Sequence, residues 1–564
     1  MPHVITRACC VDAACTYVCP VDCIHPTPGE PGFGRSEMLY IDPAVCIDCG
    51  MCVQECPVGA IFPAERLPEG LKPFEALNAA RFEPGAPLAP FAQRSLPAPA
   101  ARRAQPLRVA IVGSGPAGCY AALELLERGG PDLEVEFIER LPTPWGLARA
   151  GVAPDHLDTK AIAEMFARRT RDSRLRFRLN VEVGRDVGVD ELARLYHAVV
   201  FAVGASNARR LDIPGEDLPG SHSATEFVGW YNGHPDHASR QFDLRGPTAI
   251  VVGNGNVALD AARLLSIGAA ALHASDMAAH ALAPLEASGV RDIVVVGRRS
   301  AAHAACTLPE LMALDELPDV EIHVPPEDLA LTADERRWVE ADPMRRMKFA
   351  WFERHAAASA STARRRITFR FLLSPVAFAG AGRIERVEFM RNRMADGDPG
   401  RAAAQATGQR LTLEAGMALA SVGYRGVALP GLPFDAERGI VPNLGGRVTT
   451  QDGQLIAGAY AVGWIKRGPS GVLGSNRACA QETIAALLED ADRGAYAAPV
   501  PPADALDRLL DQRRAPALAW ADWRIIDRHE LASGRQVGRP RVKLTSRDAM
   551  LEVVRAARAQ EATQ

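Results

Sequence analysis

The most constraining feature of this chain is a run of cysteines spaced Cys46-x2-Cys49-x2-Cys52-x3-Cys56-Pro57. A second run near the N-terminus has the same spacing with one change, and it reads Cys9-x2-Asp12-x2-Cys15-x3-Cys19-Pro20. In bacterial ferredoxins with this spacing, the first three cysteines surround one iron–sulfur cluster, and the fourth, followed by proline, ligates the other cluster. The two runs together predict a module that binds two clusters.

This rule assigns the cysteines to two sets of ligands. We expect a [4Fe-4S] cluster with four thiolate ligands, which are Cys19, Cys46, Cys49 and Cys52. The other cluster has three thiolate ligands, Cys9, Cys15 and Cys56, and Asp12 stands where its fourth cysteine would be. A carboxylate is a harder and weaker ligand for this iron than a thiolate. The second cluster is therefore [3Fe-4S], or it is [4Fe-4S] with Asp12 or Cys10 as the fourth ligand.

A disulfide scaffold and a zinc site are the alternatives to iron–sulfur ligation, and both suit these cysteines less well. Disulfides need an oxidising compartment, whereas the N-terminus MPHVITRACC has no apolar signal region and no cleavage site. We therefore expect a cytoplasmic protein. Zinc sites use paired C-x2-C units, without a third cysteine at the same spacing and a trailing Cys-Pro. Cys10 and Cys23 are interpreted as spare buried thiols.

Composition excludes several classes of function. The chain has 564 residues, of which 48% are hydrophobic and 23% charged, as in ordinary globular proteins with several domains. A net charge of -4 provides no basic field for nucleic acid. No uninterrupted apolar run reaches about 18 residues, the length that predicts a membrane span. We expect neither nucleic acid nor a membrane as partner.

The order of segments predicts separate modules. The ferredoxin-like module is expected over residues 1–62, and a linker rich in proline and alanine over residues 63–105. Such a linker would keep the module nearby without fixing one docked position. From Leu107 onward an apolar strand, a glycine turn, a helix and another strand follow, which is the start of a parallel α/β domain.

The first glycine turn has the pattern of a dinucleotide site. In LRVAIVGSGPAGCYAALELL, Gly113, Gly115 and Gly118 follow an apolar strand and open a helix. These glycines allow a tight turn, a close approach of the pyrophosphate and close helix packing, and the helix N-terminus attracts the phosphates. Glu139 ends the next strand, where an acidic residue accepts a hydrogen bond from a ribose hydroxyl.

The second glycine turn predicts a different dinucleotide. TAIVVGNGNVALD keeps Gly253 and Gly255 and has alanine in place of the third glycine, a tolerated change. Where the next strand of this unit ends, the chain has Arg298 and Arg299 and no carboxylate. Two guanidinium groups would bind a 2′-phosphate, so this site is predicted to take NADP.

Electron transfer between NADPH and an iron–sulfur cluster requires a third electron carrier. NADPH gives up two electrons as a hydride, whereas an iron–sulfur cluster accepts one at a time, and a flavin converts one process into the other. The first nucleotide fold is therefore predicted to bind FAD. No C-x2-C occurs after residue 56, so the redox disulfide of thioredoxin-reductase-like flavoenzymes is not expected.

From Leu107 to about residue 490 the chain resembles the adrenodoxin reductase type of ferredoxin–NADP reductase. The segments that carry the resemblance are VGSGPAG, LPTPWGLARAGVAPDH, IPGEDLPG, FVGWYN, GNGNVALD, VGRR, SVGYRG and GWIKRGPSGVLGSN. With the cysteine module included, the chain resembles the bacterial fusion of a ferredoxin with its reductase. The implied fold class is α/β, with an N-terminal α+β ferredoxin fused to a two-domain FAD/NADP reductase that has doubly wound, Rossmann-like sheets.

The resemblance also implies domain limits and site residues. FAD would lie in a domain made of residues 106–205 and 425–490, with an NADP domain of residues 206–424 between them and an extension of unknown role at 491–564. The implied FAD contacts are Ala117, Glu139, Leu147, Val183, Trp464, Gly471, Val472 and Leu473. The implied NADP contacts are Arg209, Asn254, Gly255, Asn256, Val257, Arg298, Arg299 and Glu310, with Gly471 near the nicotinamide.

His156 and Glu310 are the candidate catalytic residues, since the resemblance places them beside the hydride-transfer region. Neither is expected to need acid–base chemistry, because a hydride passes directly between the rings and catalysis is mainly positioning. Pro309 precedes Glu310 and disfavours a helical conformation at Leu308.

The expected activity is that of a ferredoxin–NADP reductase. NADPH would reduce FAD, and single electrons would pass to the tethered clusters and on to an external acceptor such as a cytochrome, a monooxygenase or another ferredoxin, or in reverse. One alternative is a redox or iron sensor with a labile cluster, in which the flavoprotein part acts as a binding module. Another is a reductase whose clusters serve a different substrate, as in small subunits of the glutamate synthase type.

Overall fold

The structure is a computed structural model, and it describes residues 2–82, 106–357, 363–496, 501–502 and 504–563. The elements of the N-terminal module are β1 (His3–Ile5), α1 (Ala14–Val18), β2 (Ile24–His25), β3 (Tyr40–Ile41), α2 (Met51–Glu55), β4 (Ile61–Pro63) and α3 (Pro73–Ala80). β1 pairs with β4 and β2 with β3, both antiparallel. α1 and α2 each begin inside one cysteine run and pack against each other, so the repeated spacing builds a repeated loop and helix.

The predicted linker over residues 63–105 is wrong at its beginning, because α3 belongs to the ferredoxin-like module. Phe74 and Leu77 lie on one face of α3 and are buried against the module. The Asn78 amide accepts hydrogen bonds from the N–H groups of Ile5 (3.2 Å) and Ile41 (2.9 Å), and it donates to the carbonyl of Ile5 (2.8 Å). These side chains order the segment despite its composition. Residues 83–105 of the predicted linker lie outside the described residues.

The first nucleotide domain begins with a strand–helix–strand unit. Its first elements are β5 (Leu107–Val112), α4 (Pro116–Arg128), β6 (Leu133–Glu139), α5 (Leu147–Ala150), α6 (Leu157–Lys160), α7 (Ile162–Arg169), β7 (Leu175–Leu179), α8 (Val189–Leu195) and β8 (Ala198–Phe201). Every residue of β5 is buried, as expected for a central parallel strand covered on both faces.

The second nucleotide domain has two sheets. Its elements, with the two strands that connect it, are β9 (Asn207–Ala208), β10 (Ser221–Ser223), α9 (Ala224–Asn232), β11 (Thr248–Val252), α10 (Asn256–Ser266), α11 (Ala269–His273), α12 (Ala279–Glu286), β12 (Asp292–Val296), α13 (Leu308–Leu314), β13 (Val320–His323), α14 (Ala333–Glu340), α15 (Pro343–Ala356), β14 (Arg365–Arg370), β15 (Leu373–Ala379), β16 (Arg386–Met394), β17 (Ala404–Glu414), β18 (Met417–Ala420) and β19 (Tyr424–Arg425). A six-stranded parallel sheet has the order β10-β18-β11-β12-β14-β13. β15, β16 and β17 form an antiparallel sheet, and β9 pairs with β19 where the chain enters and leaves the domain.

The chain then returns to the first domain. The remaining elements are β20 (Asn443–Leu444), β21 (Arg447–Thr449), β22 (Leu455–Ala461), α16 (Trp464–Arg467), α17 (Ser475–Asp492), α18 (Ala505–Gln512), α19 (Trp520–Gln536) and α20 (Arg547–Thr563). β20 to β22 complete a seven-stranded sheet of order β20-β21-β22-β8-β5-β6-β7. This sheet therefore contains strands from both ends of the reductase region. Short 3-10 helices lie at Phe33–Arg35, Ala64–Arg66, Glu69–Leu71, Ala301–His303, Pro326–Leu329 and Pro399–Arg401.

The described part of the C-terminal extension packs on both nucleotide domains. The ring of Trp520 lies 5.8 Å from that of Trp145 in the first domain. Lys543 forms an ion pair of 3.0 Å with Asp276 of the second domain, and Asp276 also pairs at 3.0 Å with Lys160 of the first. The extension thus joins the two domains through a buried ionic network. No helix within the described ranges is long and apolar enough to cross a membrane.

The role of α3 can be tested with Asn78→Leu, which leaves the N–H groups of Ile5 and Ile41 without their side-chain acceptor. Each buried unpaired group costs about 1–3 kcal/mol, so we expect the ferredoxin-like module to unfold at a clearly lower temperature. Thermal unfolding of the full chain, followed by the loss of iron–sulfur absorbance, measures the change. Glu75→Gln, on the exposed side of the same helix, is the control and should melt like wild type. Equal melting of both variants would contradict the role assigned to α3.

Candidate redox site

The predicted cluster ligands line two separate cavities of the N-terminal module. The far cavity is lined by Cys19, Cys46, Cys49 and Cys52, together with Cys23 and His3. The near cavity is lined by Cys9, Cys15 and Cys56, together with Cys10 and Asp12. The structure therefore brings the cysteines together in the two sets that the spacing predicts. That they bind iron stays a prediction.

The cysteines of each cavity fit a cluster better than a single ion. All twelve are free of disulfides. In the described parts of the chain, the one group of three or more candidate ligand atoms within 4.8 Å of one another contains no cysteine. A single zinc ion would draw four sulfurs closer than this, since each Zn–S bond is about 2.3 Å long. A cluster, in contrast, needs thiolates spread around a wider body.

Hydrogen bonds to the sulfurs and the burial of the thiols also suit ligands of an iron–sulfur cluster. Backbone N–H groups of Leu39, Ala60 and Cys23 donate to the sulfurs of Cys9 (3.5 Å), Cys56 (3.2 Å) and Cys19 (3.3 Å). Burial raises the pKa of Cys9 to about 12. A positively charged metal centre offsets the cost of burying a thiolate by stabilising its charge. Hydrogen bonds from backbone N–H groups to the sulfurs tune the reduction potential of a cluster.

The two cavities face different surroundings. The rim of the far cavity is open to solvent, where Cys49 is exposed and the apolar side chains of Ile47 and Met51 are 59% and 48% exposed. The near cavity faces the first nucleotide domain, because the carbonyl of Cys10 accepts a hydrogen bond of 2.8 Å from the N–H of Gly474. A Cβ atom on Gly474 would lie 2.4 Å from that carbonyl oxygen, so only glycine permits this contact.

Asp12 lies at the same contact, and its carboxylate is directed to the reductase. The hydroxyl of Tyr120 in α4 donates to its Oδ2 (3.2 Å), and Arg477 in α17 forms an ion pair of 3.5 Å with the same oxygen. The guanidinium of Arg477 also lies over the ring of Tyr17, 5.2 Å from its centre. Asp12 and Tyr120 are 6% and 2% exposed. The contact is therefore a buried polar one inside a domain interface.

The ferredoxin-like module also docks on the second nucleotide domain. Arg7 and Glu316 form an ion pair of 2.7 Å. Glu37 pairs with Lys348 and accepts a hydrogen bond of 2.7 Å from the N–H of Leu308 at the start of α13. The expectation of a tethered module without one docked position is wrong, because these contacts and those of Asp12 hold the module against both domains.

The first glycine turn has the conformation that the motif predicts. Gly113 has φ +100°, and a Cβ atom on Gly118 would lie 2.1 Å from the carbonyl oxygen of Gly113. Gly115 is the N-cap residue of α4, and no side chain caps this helix, so its first N–H groups are available to an anion. The carboxylate of Glu139 accepts bonds from the N–H and hydroxyl of Ser114, both 2.9 Å, beside the turn.

The other predicted FAD residues lie partly around this turn. Ala117 touches the backbone at Gly463, where a Cβ atom would come within 2.4 Å of it, and Trp464 follows directly. Leu147 begins α5, next to Gly146, whose added Cβ would lie 2.9 Å from the Cα atom of Gly115. Val183 is buried beyond β7. Gly471, Val472 and Leu473 directly precede Gly474, whose N–H donates to the carbonyl of Cys10 beside the near cavity.

Two arginines, Arg298 and Arg299, lie at the edge of the second glycine turn. Gly253 and Gly255 precede α10, and the side chains of Asn254 and Asn256 accept hydrogen bonds from the N–H groups of Ala305 (3.4 Å) and Thr307 (2.8 Å). Val257 lies in the first turn of α10, and Arg209 bonds to the carbonyl of Tyr424 at 3.2 Å. At the end of β12, Arg298 is exposed and Arg299 is half-buried.

No carboxylate of the described residues pairs with Arg298 or Arg299. Burial, and then the charge of Arg298, lower the pKa of Arg299. An uncompensated pair of cations at this position attracts an anion, which is the chemistry that a 2′-phosphate would satisfy.

His156, Asp260 and Glu310 meet at the boundary between the two nucleotide domains. Their candidate ligand atoms lie within 4.8 Å of one another, and all three residues are half-buried. Burial and the charge of Glu310 raise the pKa of Asp260, and His156 opposes the rise. Arg263 forms an ion pair of 2.7 Å with the Asp260 carboxylate, which favours its charged form. Asp260 was not predicted from the sequence, although its position four residues after Asn256 in α10 puts both side chains on one helical face.

The expected loss of helical conformation at Leu308 is wrong. α13 begins at Leu308, and Pro309 lies in the first turn, where its missing N–H removes no helical hydrogen bond. Glu310 is therefore held on a helix.

Comparisons with known proteins agree with this arrangement. Residues 107–286 match the family model of pyridine nucleotide-disulphide oxidoreductases, and residues 39–62 match that of the 4Fe-4S binding domain. The probable ferredoxin/ferredoxin–NADP reductase of Mycobacterium tuberculosis is 45% identical over 561 residues, which covers 98% of this chain and 94% of the relative. The mitochondrial NADPH:adrenodoxin oxidoreductase of Arabidopsis thaliana is 38% identical over 460 residues, or 79% and 95% of the two chains.

A solved structure supports the fold in the same way. The structure of Mycobacterium tuberculosis FprA in complex with NADPH is 42% identical and has a TM-score of 0.75, covering 80% of this chain and 100% of that one. The predicted fold class, a ferredoxin module fused to an α/β reductase, is confirmed by this likeness and the two family models.

Proposed function

Because the chain belongs to the ferredoxin/ferredoxin–NADP reductase family, we propose that its two glycine turns and two cysteine cavities form one electron path between NADPH and an external acceptor. It is an FAD-dependent oxidoreductase that transfers electrons between NADPH and iron–sulfur centres. The observation that carries the proposed path is the hydrogen bond between Cys10 and Gly474. It places the near cavity directly beside the segment proposed to contact FAD.

The first glycine turn would hold FAD. The uncapped N-terminus of α4 offers N–H groups to the pyrophosphate, and Glu139 lies where a ribose hydroxyl would bind. FAD, when bound, supplies the conversion of a two-electron hydride transfer into single-electron transfers. The backbone of Gly471, Val472 and Leu473 would position the flavin against the near cavity.

The second glycine turn would hold NADPH and select it over NADH. Arg298 and Arg299 have no acidic partner among the described residues, so the 2′-phosphate would supply the missing negative charge. Asn254, Asn256 and Arg209 would contact the rest of the dinucleotide. His156, Asp260 and Glu310 would line the boundary where the nicotinamide must approach the flavin.

The cysteines would hold two clusters in series. The near cavity, with Cys9, Cys15 and Cys56, adjoins the first nucleotide domain, whereas the far cavity, with Cys19, Cys46, Cys49 and Cys52, opens to solvent. Electrons from NADPH would leave through the far cavity, whose exposed apolar rim suits contact with a cytochrome, a monooxygenase or another ferredoxin.

The path can be tested by an anaerobic NADPH titration that follows flavin absorbance and cluster EPR together. We expect the flavin and then the clusters to be reduced. In Cys49→Ser the four-iron signal should disappear and cytochrome c reduction should fall at least tenfold, while the rate of flavin reduction stays the same. Cys306→Ala, which changes a buried thiol outside both cavities, is the control. Undiminished cytochrome reduction in Cys49→Ser would refute the path.

The choice of nucleotide can be tested at Arg298. Removing this guanidinium in Arg298→Gln deletes a charge-assisted bond worth about 1.5–3 kcal/mol, so the KM for NADPH should rise about ten- to hundredfold. The KM for NADH should not change. Arg291→Gln removes an exposed arginine just before β12, and its kinetics should match wild type with both nucleotides. An equal loss with NADPH and NADH in Arg298→Gln would argue against a 2′-phosphate contact.

A further inference from the structure

We infer that Asp12 is an interface residue and not an iron ligand, and that the near cavity therefore holds a three-iron cluster. The inference rests on the proposed function in one respect, namely that Cys9, Cys15 and Cys56 bind a cluster. It adds the type of that cluster and gives a reason for the aspartate that interrupts the first cysteine run.

Both oxygens of the Asp12 carboxylate already have partners. Oδ1 accepts a hydrogen bond of 2.9 Å from the N–H of Ala14, within its own loop. Oδ2 accepts one of 3.2 Å from the hydroxyl of Tyr120 and pairs with Arg477 at 3.5 Å. Tyr120 and Arg477 belong to the first nucleotide domain, so both side-chain contacts of Oδ2 are with the reductase.

Tyr120 and Arg477 both use the Asp12 carboxylate as an acceptor. Asp12 is the single carboxylate within ion-pair distance of Arg477 in the described residues, and the side chain of Arg477 is only 18% exposed. Burial, and then the charge of Asp12, raise the pKa of Tyr120 well above its ordinary value, which keeps the hydroxyl protonated as a donor. If the carboxylate turned to an iron, the buried hydroxyl of Tyr120 would lose its acceptor and Arg477 would keep only the Asp12 carbonyl, at 3.4 Å, which is costly.

Cys10 also lines the near cavity, but it is held by other contacts. Its carbonyl is fixed by the N–H of Gly474. Its side chain is buried with Val58 and Ala60 in the apolar cluster of the first nucleotide domain. The ligands assigned to the near cavity are therefore the three thiolates that the spacing predicts, and three thiolates suffice for a cluster that lacks one corner iron.

The aspartate therefore has a structural reason to occupy this position. A cysteine at residue 12 would offer a fourth thiolate but no carboxylate to pair with Arg477. The carboxylate gives up that ligand and fixes the loop of the near cavity on α4 and α17, where Gly474 approaches. Asp12 is a positioning residue in this sense, since it acts by holding the loop against the reductase.

Cluster type is tested on the full chain, reconstituted anaerobically with excess ferrous iron and sulfide. EPR should show the three-iron cluster in the oxidised protein and the four-iron cluster after chemical reduction, and iron analysis should fit one cluster of each kind per chain. Asp12→Ala should leave the three-iron signal at wild-type intensity, because it removes no ligand. Conversion of wild type to two four-iron clusters, with the three-iron signal appearing only in Asp12→Ala or in Cys10→Ser, would overturn the inference.

The interface role is tested by hydrogen exchange, which does not depend on electron transfer. Asp12→Ala should increase amide exchange in residues 10–18 and 471–477 about ten- to hundredfold, as expected from losing a charge-assisted bond. Tyr120→Phe, which keeps the ring and removes the donor, should increase it less and leave EPR unchanged, and it serves if Asp12→Ala does not fold. Glu55→Gln, an exposed acid of the same module, is the control. Wild-type exchange in both interface variants would overturn the inference.

Failure of the proposed function would look different. Iron analysis showing one cluster per chain would remove the near cavity as a cluster site altogether, which contradicts the electron path as well as this inference. Two four-iron clusters would contradict the inference alone.

Discussion

The proposed electron path depends on the close backbone contact between Cys10 and Gly474. Electron transfer between a flavin and a cluster requires that little protein lies between them, and here the backbone of the cysteine loop contacts the backbone of Gly474 directly. The polar contacts of Asp12 stabilise the loop in this position. The salt bridges of Arg7 and Glu37 hold the other side of the module on the second nucleotide domain.

The ferredoxin-like module therefore contacts both nucleotide domains. One apolar cluster joins its core to the second domain, and another joins Cys10, Val58 and Ala60 to the first. Because it contacts both, the module resists movement of one domain against the other. The ionic network of Lys160, Asp276 and Lys543 opposes the same movement from the C-terminal extension. His156 can meet Asp260 and Glu310 only while the domains keep this relation.

Local patterns were sufficient for much of this site. The two cysteine cavities follow from the spacing, because the three cysteines of the second run, and the two cysteines and Asp12 of the first, each lie within seven residues around one centre. The glycine turns and the cations at Arg298 and Arg299 are also set within one strand–helix unit. In contrast, the composition of residues 63–80 predicted a linker, since the burial of Phe74 and the bonds of Asn78 depend on strands more than 30 residues away. Asp260 was missed for a similar reason, because its neighbour His156 lies in the other domain.

By itself, the sequence determined the residues that carry the predicted chemistry, namely two cysteine sets, two glycine turns and a pair of arginines after β12. These depend on residue types at short spacing, where backbone geometry leaves few alternatives. Only the tertiary structure decided which cavity adjoins the reductase, and that Asp12 is directed to Tyr120 and Arg477, which are 108 and 465 residues away. The direction of a single carboxylate depends on partners that folding brings from distant parts of the chain, and no local pattern contains them.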